Sequence, residues 1–94
     1  MSQRRRPDLV SRIVDDEIII LDRVAGRVHR FNPTATYIWN ACDRLSASEI
    51  ARLMAKDFDV VPEMLLDDVQ ATLSDFRRLG LVLDVYGDAT APTG

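Results

Sequence analysis

The sequence predicts an α+β domain in which a three-stranded antiparallel sheet is followed by three helices. Three observations carry that expectation. Short β-branched runs separated by turn residues occupy 8–31. An Asn-Pro pair at 32–33 then switches the chain abruptly to helical spacing. From there to Gly80 apolar residues recur at that spacing, punctuated by capping and breaking signals.

The strands come first. "LVSRIV" (9–14) and "EIIIL" (17–21) are β-branched runs, joined by the turn pair Asp15-Asp16. "DRVAG" (22–26) turns the chain again and ends in Gly26, which tolerates positive φ. "RVHRF" (27–31) has period two, with Arg27, His29 and Phe31 on one face and Val28 and Arg30 on the other.

The helices follow. Asn32 suits an N-cap and Pro33 the first helical position, where a missing N–H costs nothing. Ala35, Ile38, Trp39 and Cys42 then share one apolar face. With the junction this tight, Phe31 and Trp39 reach the same small core. Ser46 and Glu49 form a capping box for a second helix, whose stripe is Ile50, Leu53, Met54 and Phe58. Val60-Val61-Pro62 breaks the chain and restarts it. The third helix is expected over 62–80. Pro62 and Glu63 favour its start, Arg77 and Arg78 complement its C-terminal dipole, and Gly80 ends it. "LVLDVY" (81–86) is an edge strand or a packed tail. The second and third helices make a helix-turn-helix pair, and with the preceding hairpin the layout is a winged helix-turn-helix. Residues 1–7 read as a disordered basic arm, 8–86 as one domain, and 87–94 as a flexible tail.

On the third helix Leu65, Val69, Leu73 and Phe76 fall within a stripe of about 80°, the core face. Leu66, Gln70 and Arg77 lie on a flank beside it. A three-stranded sheet has two edges, and an exposed edge invites a partner strand. If "RVHRF" is an edge lying beside the third helix, strand and flank enclose a cleft that suits an extended peptide. A free edge also leaves room for a homodimer.

Composition excludes several classes. The net charge is −3, and Glu63, Asp67, Asp68 and Asp75 load the third helix with acid. A duplex-reading helix carries the opposite sign, so nucleic acid is not an expected partner. No run approaches the roughly 18 apolar residues of a membrane span. "MSQRRRPDLV" has no apolar signal core, so the expected location is cytoplasmic and no membrane partner is expected. Phosphate-loop, zinc-protease and serine-hydrolase motifs are absent from the sequence. One cysteine (Cys42) and one histidine (His29) cannot build a structural zinc site alone. Neither a metal nor a cofactor is expected. A Cys42–His29 nucleophile pair is weighed against a core cysteine at the end of an apolar helix, and the core reading wins.

Three motifs carry a resemblance to a known family. They are "G-x-V-x-x-F-N-P-T-A-x-x-I-W" from Gly26, "S-x-x-E-I-A-x-x-M-A-x-D-F-D-V" from Ser46, and "D-D-V-x-x-x-L-x-x-F-x-x-L-G-L-V" from Asp67. In order and spacing they resemble the PqqD family over about residues 17–83. The resemblance implies a precursor-peptide chaperone, or RiPP recognition element, with no catalysis of its own. Such a domain binds the leader segment of a ribosomally made peptide. It presents the leader to a separate modifying enzyme or leader peptidase, in routes to cofactors, lasso peptides and other natural products. The leader would add as a strand along Val28, His29, Arg30 and Phe31 and rest against Leu66, Gln70, Leu73 and Arg77. His29 is read as a sheet-face residue beside that edge. The rival reading is a winged-helix DNA-binding regulator.

Overall fold

Two tight turns build the main sheet. In the computed structural model, which describes residues 2–85, β2 (Val10–Val14), β3 (Glu17–Asp22) and β4 (Arg27–Phe31) pair antiparallel in the order β2-β3-β4. Val14 opposes Glu17, so Asp15 and Asp16 form a two-residue hairpin turn. Both have positive φ, 52° and 65°. That is the twist a two-residue turn needs, and aspartate tolerates it better than most residues.

α1 (Pro33–Ala41) starts two residues after the last sheet residue. The Asn32 side chain accepts from the Ala35 amide at 2.8 Å, and Pro33 occupies the first turn. α2 (Ala47–Phe58) opens with the expected capping box: Ser46 Oγ accepts from the Glu49 N–H and the Glu49 carboxylate from the Ser46 N–H. Of the stripe expected on α2, Ile50 and Met54 are buried, but Leu53 and Phe58 are exposed. Ala51 and Ala55 take their place, because small side chains let α2 approach its neighbours closely. The third helix starts later than expected. Pro62–Met64 is a single 3₁₀ turn, and α3 runs Leu66–Arg78.

α3 closes with the Leu81 N–H bonded to the Phe76 carbonyl and the Gly80 N–H to the Arg77 carbonyl, a Schellman arrangement. Gly80 sits at φ +74° with open space where a Cβ would go. Gly80→Ala therefore tests backbone strain alone. It should destabilise the protein by about 1 kcal/mol, read as a lower midpoint in urea unfolding with an unchanged slope.

The ends of the domain depart most from expectation. Where a disordered arm was expected over 1–7, Ser2–Arg5 form β1, antiparallel to β5 (Val82–Val85), as a second, two-stranded sheet. The architecture is thus three strands, three helices and a terminal ribbon, rather than three strands followed only by helices. Side chains hold the N-terminal segment down. Gln3 is buried, and its amide donates to the carbonyls of Cys42 and Leu45. Arg5 pairs with Asp43 at 2.9 Å and lies over the Trp39 ring. Arg6 pairs with Asp8 and Asp22 and donates to the Gly80 carbonyl. Hydrogen bonding from Arg6 holds the carboxyls of Asp8 and Asp22 below the usual range. The expected tail, 87–94, lies outside the described residues, as does Tyr86.

One core joins these pieces. Ile18 and Ile20 from β3, Ile38 and Trp39 from α1, Ile50 and Met54 from α2, and Val69, Leu73 and Phe76 from α3 are all buried. Phe76 is the keystone, with edge-on contacts to Phe31 at 5.1 Å and to Trp39 at 5.2 Å between centroids. The expectation that Phe31 and Trp39 share a core is met through Phe76.

Candidate functional site

β4 is an outer strand. It pairs with β3 on one side and, among the described residues, with no strand on the other. Arg27, His29 and Phe31 oppose Asp22, Ile20 and Ile18, three buried residues, so they belong to the inner face of the sheet. Val28, 66% exposed, and Arg30, paired with Glu17, belong to the outer face.

α3 meets this strand near its two ends. Phe31, at the end of β4, meets Phe76. Just beyond, Asn32, Thr34 and Ala35 line a polar cavity of about 320 Å³ with Asp68, Ala71, Thr72 and Asp75. At the other end, one guanidinium nitrogen of Arg6 reaches both the Asp22 carboxylate and the Gly80 carbonyl. Asp22 pairs with Arg27, the first residue of β4, so the end of α3 is clamped beside the start of the strand. α3 thus comes close to the free edge of β4 near both ends of the strand.

The structure divides the sequence-predicted site residues. Val28, His29, Arg30 and Phe31 do form the edge strand. Leu73 is buried in the core and supports the cleft from beneath. Leu66 instead lines a small cavity with Ser48, Ala51 and Arg52 of α2. Arg77 donates to Asp84 of β5 and to Gln3 of β1. Gln70 is exposed on the same flank of the helix. That flank faces α2 and the terminal ribbon, about 80–120° round the helix from Phe76. The opposite flank, with Thr72 about 40° and Asp75 about 100° from Phe76, faces the start of α1 across the polar cavity. Sequence reasoning chose the Leu66, Gln70 and Arg77 flank, although both flanks border the core stripe. The usable signal was Phe31: its ring selects Phe76, and Phe76 orients the helix.

His29 stacks on Phe31, with centroids 6.2 Å apart and planes within 9°. Its Nε2 is buried and has no hydrogen-bond partner. Buried polar atoms are nearly always partnered, so a free imidazole nitrogen beside a free strand edge is a group a ligand can satisfy.

Cys42 is elsewhere in the fold. It is buried, its thiol donates to the Trp39 carbonyl at 3.4 Å, and burial pushes its pKa up to about 11. A thiol that stays protonated is a poor nucleophile. Iodoacetamide at pH 8 should therefore leave Cys42 unmodified in the folded protein and modify it fully in urea, as read by mass spectrometry. Among the described residues no group of three or more His, Cys, Asp or Glu side chains converges to hold a metal, and no helix is long and apolar enough to cross a membrane.

Comparison with known proteins agrees with this architecture. Among solved structures, TbiB1 in complex with the TbiA(beta) leader peptide superimposes with a TM-score of 0.75 at 20% identity, covering 90% of this chain and 99% of that one. Lasso peptide synthetase B1 complexed with the leader peptide does so with a TM-score of 0.75 at 22% identity, covering 89% and 100%. At these identities the likeness is one of fold. No curated protein matches in sequence. The profile of the family described as Coenzyme PQQ synthesis protein D (PqqD) matches residues 17–82, from the start of β3 to the first residue of β5, and on that match the chain belongs to the PqqD family.

Proposed function

We propose that the chain binds the leader segment of a ribosomally synthesised precursor peptide as an added strand on β4. The observation that carries this reading is the outer edge of β4, unpaired among the described residues, with Phe31 at its end packed on Phe76 of α3. Alternate residues of an incoming strand gain main-chain hydrogen bonds from the edge, and alternate side chains of that strand turn toward the helix. The His29 Nε2 supplies one further polar contact. Support also comes from the two solved structures of like fold, both described as complexes with a leader peptide.

The chain is then an adaptor without catalysis of its own, a winged helix-turn-helix scaffold turned to peptide capture in the cytoplasm. It hands the leader to a separate modifying enzyme or leader peptidase, and a tethered substrate reacts as though at high local concentration. The DNA-binding reading fares worse. Asp67 and Asp68 stand exposed in the first turn of α3 and Asp75 in its middle, where a phosphate backbone would be repelled.

The test is a titration of isotope-labelled protein with the leader of the precursor encoded beside its gene. Amides of 27–31 and of 72–79 should shift at micromolar peptide. Shifts confined to the terminal ribbon, or a salt-steep affinity for duplex DNA in their place, would overturn the proposal.

A further inference from the structure

A cavity of about 600 Å³ lies on a face away from β4. It is built by the end of α2. Asp59 adopts the left-handed conformation, φ 56°, and the next N–H, from Val60, returns to the Ala55 carbonyl at 3.2 Å. The chain folds back along α2, so that Val60 and Pro62 form one wall and Leu53 and Leu45 the other. Tyr37 anchors the end of α2, through its hydroxyl on Asp57 and its ring against Phe58. The groove therefore exists before anything enters it.

Its surroundings are apolar and open. Leu53 is 41% exposed, and nearby Val61 and Met64 are 54% and 69% exposed. Residues 49, 52, 53 and 56 share the helix face turned away from Ile50 and Met54, within about 100°. The rim charges are unbalanced. Glu49 is held by the Ser46 N–H. Arg52 and Lys56, one turn apart, have no ion-pair partner among the described residues. On a chain of net charge −3, this is an apolar groove with two uncommitted cations on its rim.

We infer that this groove, between α2 and the Val60–Pro62 turn, is a second docking surface, and that its occupant is an acidic amphipathic helix of a partner protein. The apolar walls take side chains at i and i+4 of such a helix. Arg52 and Lys56 select Asp or Glu beside those anchors, and a basic segment is rejected by the same charges. The groove shares no lining residue with β4 or with the cavity beside it, so both surfaces can be filled at once.

The probes are two synthetic amphipathic peptides of about 15 residues, long enough to form helix. They have identical leucine anchors and differ only in flanking Glu or Lys. The Glu peptide should shift the amides of Leu53, Lys56 and Val60 and bind at least about tenfold tighter than the Lys peptide. The double variant Arg52→Glu, Lys56→Glu should reverse that preference, and Leu53→Asp should remove binding of both. All three positions are on the surface, so the variants should keep the wild-type spectrum elsewhere. Equal affinity for the two peptides, no binding of either, or shifts on β4 in place of the groove would overturn the inference. Leader titration reads 27–31 separately, so the two surfaces stand or fall independently.

Discussion

Replacing Phe76 by Ala should destabilise the protein by about 3–5 kcal/mol, the usual cost of emptying a core aromatic position. Phe76 is completely buried and is the one ring that touches both Phe31 of the strand edge and Trp39 of α1. Two edge-to-face contacts add roughly 0.5–1.5 kcal/mol each beyond area burial. The loss is large against the roughly 5–15 kcal/mol that a domain has in total. Urea unfolding followed by Trp39 fluorescence measures it directly. Phe58→Ala is the comparison, because Phe58 is half exposed and its ring packs on Tyr37 at the surface. If the two substitutions cost the same, Phe76 does not couple the strand, the first helix and the third.

Thr72→Arg should lower leader affinity by at least about tenfold, or 1.4 kcal/mol, with little change in stability. Thr72 lies in the polar cavity that Asp68 and Asp75 bound with Asn32 and Thr34, just past the end of β4. The new guanidinium lies four residues after one aspartate and three before the other, so it can pair with both. It would fill the cleft while leaving the helix content unchanged. Gln70→Arg places the same charge on the opposite flank and should change affinity by less than about twofold. Calorimetric titration of both variants decides which flank reads the peptide. A larger loss for Gln70→Arg would return the site to the Leu66–Arg77 side.

The strand-to-helix junction was fully legible in the sequence, because its causes are local. Asn32 caps, Pro33 fits the first turn, and "RVHRF" alternates, so β4 and the start of α1 fall where the pattern puts them. The capping box at Ser46 and the glycine end at Gly80 are local for the same reason. Only half of the terminal ribbon was legible: 81–86 read as an edge strand or a tail, and its partner strand was missed. "SQRR" has no strand signature, and its partner begins only at Val82. Such a strand exists because a distant segment offers hydrogen bonds and because Gln3 finds two carbonyls in the interior. Leu53 and Phe58 misled for a related reason: helical periodicity marks an apolar face but does not say what covers it. The edge of the candidate site could be read from period two. Its helical wall could not, since the choice between the flanks of α3 depends on one tertiary contact, Phe31 with Phe76.

That ribbon bears on function as well as fold. Arg6 ties Asp22, at the turn before β4, to the end of α3, and so fixes the width of the cleft at one end. Phe31 and Phe76 fix it at the other. An edge strand held at both ends loses little freedom when a peptide adds to it, which favours binding through pre-organisation.

Amide hydrogen exchange of residues 27–31, with and without the precursor leader, tests the central claim most directly. If the leader adds as a strand, the β4 amides not already bonded to β3 should exchange markedly more slowly in the complex, in an alternating pattern along the strand. Unchanged exchange along β4 at saturating peptide, with protection on β2 or on the terminal ribbon instead, would contradict it.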